Sequence, residues 1–390
     1  MQIIKTTDEL ARFCAECAKH PYVTVDTEFL RERTYYAELC LVQLAMPGED
    51  DSTAALIDTL ADGISLDPLY DLFRDTSVVK VFHAARQDLE IFYLQGGVLP
   101  KPFFDTQVAA MVCGFGEQAG YETLVRKIAK GQVDKSSRFT DWSRRPLTEK
   151  QMRYAIADVT HLRVIYEFLA EKLEETGRTE WVEEEIAILM NPDTYVVDPE
   201  TAWQRLRIKT TSGPFLAIVR ELAKFREETA KSRNVPRNRI LKDDAIMELA
   251  STRPKNMGDL GKSRLLLREA RSGATAEGIL AAVARAEALP KSAWPSVPER
   301  PRNQNNNDAL TDLLRVLLKG KAEKSKVAQK LIANAADLDA IANSDAPDVA
   351  AMSGWRWKLF GQEAMRLKRG EIALSSDGRR IRIVDIAKAD

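Results

Sequence analysis

The sequence predicts an α/β unit followed by an all-α unit: a mixed β-sheet flanked by helices, then two small helical bundles. Two observations point there, and a third divides the chain at the same place. Strand and helix signals alternate over the first 110 residues, beginning with a period-two stretch at 22–29 and including a continuous apolar run at 78–82. After Trp203 the signals are helical alone. The charge divides near the same place: residues 1–200 carry 21 Lys and Arg against 35 Asp and Glu, and residues 201–390 carry 36 against 23. A net charge of −1 therefore hides an acidic half joined to a basic one, as expected for a carboxylate-rich unit working beside a unit that binds a polyanion.

Each element has a local reason. In the first strand Val23, Val25 and Phe29 point one way, and Thr24, Asp26 and Glu28 the other. A turn at 31–34 and a second strand at 38–45 make a hairpin, and 54–57 forms a third strand. The run at 78–82, covered on both faces, leads into a helix over 86–94 stopped by Gly96-Gly97. Thr148 and Gln151 have capping-box spacing and open a helix striped by Met152, Ala155, Val159, Leu162, Tyr166 and Leu169. An acidic helix containing Glu183-Glu184-Glu185 then runs to Asn191-Pro192, which closes a first domain at about residue 195. Helical bundles follow at 205–292 and 308–378, separated by a Pro- and Asn-rich linker at 293–307. Pro254 and Pro347 each precede a Met-Gly-Asp-Leu or Met-Ser-Gly-Trp segment, a weak internal repeat that relates the bundles.

The composition, 45% hydrophobic and 29% charged, is that of a folded protein. No run approaches the roughly 18 apolar residues that span a bilayer, and the first residues lack a secretory pattern. Four cysteines do not make a disulfide scaffold. The expectation is a cytoplasmic protein without a membrane partner.

Chemistry gathers at three places. Asp26 and Glu28, two apart on a strand, share a face and repel each other, which a solvated strand tolerates and a hard divalent cation would put to use. Asp88 falls in the first turn of the helix after a buried strand; it is either an acid favoured by the helix dipole or a third metal ligand at the carboxyl end of the sheet. Tyr154 and Asp158 lie four apart on one helix face, a pairing that is common on helix surfaces. Other signals are set aside. Cys14 and Cys17 have CxxC spacing but sit in a helical stretch with no second pair, so they read as buried hydrophobes. The segment 258–263 ends in Gly-Lys-Ser, but Asn256 stands where a phosphate-binding loop needs its first glycine, so nucleoside triphosphate binding is rejected. Asp105 precedes a helix and reads as its N-cap, and His161 reads as structural.

Taken together, the order Asp-x-Glu, Asp, Tyr-x-x-x-Asp resembles the DEDD exonuclease superfamily in its tyrosine subclass. The stretches VDTEFLRERTYYAELCLVQLA, VFHAARQDLEIF and DWSRRPLTEKQMRYAIADV are similar to the three exonuclease blocks of the ribonuclease D family, and the basic half resembles its tandem HRDC-type helical modules. The resemblance covers nearly the whole chain. One departure from many superfamily members is that His83 and Gln87, in place of an Asn and an aromatic, lead in to Asp88. The resemblance implies a ribonuclease H-like core in which Asp26, Glu28, Asp88 and Asp158 hold two divalent cations, Mg2+ or Mn2+, while Tyr154 orients or helps deprotonate the attacking water. It implies a monomeric 3′–5′ exoribonuclease that releases nucleoside 5′-monophosphates from RNA 3′ ends, those of tRNA precursors foremost. Thr27, Phe29 and Leu30 are the expected contacts to the terminal nucleotide. The basic clusters Lys231, Arg233, Arg237, Arg239 and Lys319, Lys321, Lys324, Lys326, Lys330 are expected to meet phosphates. The alternatives are a 3′–5′ DNA exonuclease, because the same site cuts either backbone, and a non-catalytic RNA-binding protein with a nuclease fold.

Overall fold

The stretch with alternating faces becomes a nine-residue strand near the middle of a six-stranded sheet. In the computed structural model, which describes residues 2–296 and 307–386, the spatial order is β1 (Gln2–Ile4), β4 (Ala54–Asp58), β3 (Glu38–Ala45), β2 (Tyr22–Leu30), β5 (Val79–Phe82) and β6 (Phe103–Asp105). The pairs β2–β3 and β3–β4 are antiparallel, and β1–β4, β2–β5 and β5–β6 are parallel, so the sheet is mixed as expected. The edge strands β1 and β6 are not foreseen from the sequence, because three residues are too few to display a period. Most of the expected linker, residues 297–306, lies outside the described residues.

One face of the sheet is covered by α1 (Thr7–Cys17), α2 (Asp67–Arg74) and α3 (Arg86–Gly96), which bury Leu10, Phe13, Phe73 and Phe92 against Val23, Val25, Val42 and Leu44. Cys14 and Cys17 belong to that core. The helix stop is where the glycines place it: α3 ends at Gly96, and Gly97 takes the left-handed conformation at φ 63°. After α4 (Thr106–Val112) and α5 (Tyr121–Leu124) comes the 28-residue α6 (Glu149–Thr176), opened by the Thr148–Gln151 capping box. It lies across the other face, packing Ala155, Ile156 and Val159 on Leu41, Ala45 and Leu56 beside Trp142. Both faces of β2 are thus covered, and Asp26 and Glu28 lie under α6 and not on a solvated face.

Beyond α7 (Thr179–Leu189) the first bundle contains α8 (Gly213–Ser232), α9 (Arg237–Ile240), α10 (Asp243–Thr252), α11 (Met257–Gly261) and α12 (Gly273–Glu287). The second contains α13 (Asp308–Ser325), α14 (Gln329–Ile332), α15 (Ala335–Asn343), α16 (Gly354–Arg356) and α17 (Gln362–Lys368). Long, one-turn, medium, short: the order of helix lengths recurs, as the weak repeat suggested. The expectation of helices alone after Trp203 needs correction, because β7 (Ile372–Ser376) and β8 (Ile381–Asp385) form an antiparallel hairpin. Its turn signal was present in Asp377-Gly378, with the glycine at φ 90°.

The two bundles meet the first unit differently. Leu314, Leu317, Ile332 and Phe360 of the second share one buried cluster with Ala109, Ala110, Leu169 and Leu173 of α4 and α6. Trp181 of α7 stacks on Trp355 at 4.4 Å, and Arg178 donates to the carbonyls of Val112 and Ser325. The first bundle instead grips the loop after β2: the amides of Tyr35 and Tyr36 donate to Asn234 Oδ1 at 3.2 and 3.1 Å. The Tyr35 hydroxyl and the Arg237 guanidinium both donate to buried Glu227. Among the described residues no helix is long and apolar enough to cross a membrane.

Candidate active site

Strand β2 supplies Asp26 and Glu28 to a cleft of about 600 Å3. Pairing fixes their direction: Thr24, on the same face, donates its hydroxyl to the Val159 carbonyl of α6 at 2.8 Å, which locks the register of strand and helix. The β2–β3 register shifts between Glu28 and Phe29, a bulge that ends regular pairing at the cleft. Asp88 arrives from the first turn of α3, where it accepts a hydrogen bond from the buried Thr27 hydroxyl. The turn before α3 is held from below. Asp105 caps α4 through the amides of Gln107 and Val108, and its carboxylate also accepts from the amides of Ala84 and Ala85 at 3.1 and 3.0 Å. Ala84 stands there at φ 57°, a conformation an alanine adopts only when its surroundings impose it. Arg31, just past β2, forks onto Glu90 of α3 at 2.9 and 2.6 Å and ties the two acid-bearing elements together. Asp158 and Tyr154, one turn apart on α6, both reach this cleft. Tyr121 donates to the Asp158 backbone carbonyl at 2.6 Å and pins that turn.

All five expected catalytic residues, Asp26, Glu28, Asp88, Tyr154 and Asp158, line this one cleft. Of the expected nucleotide contacts, Phe29 lines it as well. Thr27 also borders it, but its hydroxyl is engaged by Asp88. Leu30 does not line it: it shares the face of Asp26 and Glu28 and packs on the cluster around Trp142. Arg138, Phe139 and Tyr121 also line the cleft, and sequence reasoning did not single them out. Phe139 is 91% exposed at the rim, with the Arg138 guanidinium 5.3 Å from its ring centre. The pair lies one residue ahead of the DWSRRPLT block, the one sequence cue to its position.

The electrostatics of the cleft are those of crowded acids. Burial raises Asp26 and Asp88 well above the ordinary carboxylate range, with the charge of Asp158 adding to Asp26 and that of Asp26 to Asp88. Glu28 is pushed up to about 10 by burial and then by Asp26, Asp158 and Asp88. Asp158 rises to about 7 through burial, against the opposing hydrogen bond from Tyr154 and the charge of Arg138. Four hard oxygen donors that repel one another in a partly desolvated cleft fit a divalent cation by their chemistry. Among the described residues no three His, Cys, Asp or Glu side chains form a group that could hold a metal ion as they stand, so the fit is one of donor type and shared cleft.

The basic clusters are less free than their sequence suggests. Arg237 is bound to Glu227, Lys231 donates to the Val197 carbonyl, Lys321 pairs with Glu363, and Lys330 pairs with Glu117 of the acidic half. Arg239, Lys319 and Lys324 remain exposed.

A covered mixed sheet with acids from β2, α3 and α6 on one cleft defines an exonuclease of the ribonuclease H-like class, and residues 1–174 match the family model described as 3′-5′ exonuclease. Residues 215–283 match the HRDC domain. The ribonuclease D of Jannaschia sp. (strain CCS1) is 63% identical over 383 residues, covering 98% of this chain and 99% of that one. That of Granulibacter bethesdensis is 48% identical, covering 98% and 96%. The crystal structure of Escherichia coli RNase D, described as an exoribonuclease involved in structured RNA processing, superposes with a TM-score of 0.81 at 31% identity, covering 95% of this chain and 98% of that one. The chain belongs to the ribonuclease D family. It is a 3′–5′ exoribonuclease, a hydrolase of RNA, and its fold family is generally divalent-metal dependent. This decides against the DNA exonuclease and the non-catalytic alternatives.

Proposed function

We propose that the chain trims the 3′ ends of structured RNA precursors, those of tRNA foremost, with two divalent cations, Mg2+ or Mn2+, held by Asp26, Glu28, Asp88 and Asp158. It acts in this reading as a cytoplasmic monomer, and its four buried, unpaired cysteines suit a reducing compartment. The units are a nuclease domain at 1–195, an HRDC domain at 205–292 and an HRDC-like bundle at 308–378. The observation that carries the reading is the convergence of four carboxyl groups from three elements on one cleft.

When bound, the cations would supply a water of lowered pKa and neutralise charge on the departing 3′ oxygen. The chain does the rest. Thr27 holds Asp88, and Tyr121 holds the turn that carries Asp158. The Tyr154 phenol, raised well above its ordinary range by burial and then by the charge of Asp158, keeps its proton at neutral pH, and its oxygen would accept from the attacking water and aim it. Arg138 offers a positive group to the scissile phosphate, and Phe139 an aromatic face to a base near the 3′ end. RNA as substrate is supported by the ribonuclease D relatives, and structured RNA by the description of the Escherichia coli enzyme.

The test uses the full chain and a tRNA carrying a short 3′ extension. With Mg2+ it should release nucleoside 5′-monophosphates one at a time from the 3′ end, and none in a chelator. Asp26→Asn and Asp158→Asn should fold and release none. Turnover that persists in either variant, or in chelator, removes the assignment of the site.

A further inference from the structure

Gln43 lies in the middle of β3, directly opposite Asp26 on β2 and Leu56 on β4. Opposed residues of an antiparallel pair send their side chains to the same face, with Cβ atoms about 4.5–5.5 Å apart. Here that face is the layer under α6: Leu41, Ala45 and Leu56 from the sheet and Ala155, Ile156 and Val159 from the helix form its apolar cluster, and Asp26 is the polar residue paired directly with Gln43, with Thr24 and Glu28 diagonal to it on β2 and Asp58 on β4. Gln43 is 0% exposed, and neither Nε2 nor Oε1 has a hydrogen-bond partner among the described residues. A buried amide left unpaired is destabilising, and a methionine of similar length would fill the same space without that cost. Packing does not account for an amide at this position, and the carboxylate paired directly across from it is a group it can serve.

We propose that Gln43 is a positioning residue for Asp26. Its Nε2–H, without a partner in the structure as it stands, donates to one Asp26 carboxylate oxygen once cations occupy the cleft, which leaves the other oxygen to the cation. The inference rests on the reading of Asp26 as a cation ligand and deepens it. The four acids do not stand as a ready coordination group, and a donor behind Asp26 fixes the orientation in which that carboxylate ligates. Partners of this kind behind metal-binding carboxylates typically set metal affinity or activity by about 10–100-fold.

The experiment compares the full chain with Gln43→Met. The variant should melt at the same or a higher temperature in EDTA, because an unpaired buried amide is gone. Its affinity for Mn2+, measured by calorimetry without RNA, should fall about 10–100-fold, and kcat at limiting metal should fall with it while KM for RNA stays put. A lower melting temperature with Mn2+ affinity and kcat unchanged would show a purely structural amide and overturn the proposal. A higher melting temperature with both unchanged would show an amide merely tolerated, and would overturn it equally. If Gln43→Met does not fold, the wild-type chain with 15N-labelled glutamine gives the answer. Adding Mg2+ should move the Gln43 side-chain amide resonance and slow its exchange, and an amide indifferent to Mg2+ counts against the proposal. Asp26→Asn, run in parallel, separates the two levels: Mn2+ binding untouched in that variant removes the site reading, not the role of Gln43 alone.

Discussion

Four carboxyl groups share one cleft, and each is held above its ordinary range by burial, with mutual repulsion adding for Asp26, Glu28 and Asp88. Such a site is destabilising without its counter-charge. Asp26→Asn should therefore raise the melting temperature in EDTA, and Mg2+ should stabilise the wild type but leave the variant nearly unmoved; a lower melting temperature in EDTA would show that the acids do not repel. Phe139→Ala should raise KM for RNA by about 5- to 100-fold, the worth of one base stacked on an aromatic ring, with kcat on a saturating oligonucleotide close to wild type. Unchanged KM would place the ring outside the RNA path. The faces of Asp26, Glu28, Tyr154 and Asp158 were legible because each sits in a periodic segment, but it was the resemblance to the exonuclease family that joined them, with Asp88, into one expected site. Arg138 and Phe139 were not, because they lie in irregular chain where no period says which way a side chain points.

Elements aim these groups. The first turn of α3 places Asp88, and Asp105 holds that turn by accepting from Ala84 and Ala85 while capping α4. Asp105→Ala should cost about 0.5–2 kcal/mol from the lost cap alone. It should also lower kcat, because the turn that presents Asp88 loses its anchor. A melt and a rate measured together check this, and a lowered melting temperature with full kcat would sever the link between turn and site. The N-cap role of Asp105 was legible from its place before a helix; its grip on the left-handed Ala84 was not, because nothing in an alanine announces such a backbone. Leu30 shows the converse: adjacency to the acids suggested a nucleotide contact, but on a strand the next residue of the same face continues into the core.

At the scale of the molecule, part of the charge asymmetry is used internally. Arg356 pairs with Glu184 and Glu185, and Lys330 with Glu117, so basic bundle and acidic nuclease unit are bound to each other. The second bundle also shares a buried core with α4 and α6, which sequence could not reveal: an amphipathic stripe shows that a face is covered but not what covers it. Deleting residues 308–390 should therefore lower the melting temperature of the remaining chain and expose apolar surface to a hydrophobic dye. An unchanged melt would show an independent module. The grip of the first bundle carries a pH signature. Burial would raise Glu227, but the hydrogen bonds from Arg237 and Tyr35 outweigh it and hold the carboxyl below its ordinary 4.5. A depressed folded value gives stability that is complete above about pH 4.5 and is lost as pH falls through the folded value. The melting-temperature gap between wild type and Glu227→Gln should be constant from pH 8 to 6 and close below pH 4.5. A gap that widens on acidification would contradict the sign.

Everything proposed for this cleft depends on Asp26, Glu28, Asp88 and Asp158 together holding a pair of cations. Anomalous diffraction from a crystal of the full chain grown with Mn2+ tests it most directly. Two peaks in the cleft, ligated by oxygens of these four residues, are the predicted result; a cleft without a peak in the presence of saturating Mn2+, or ions ligated elsewhere, would contradict it.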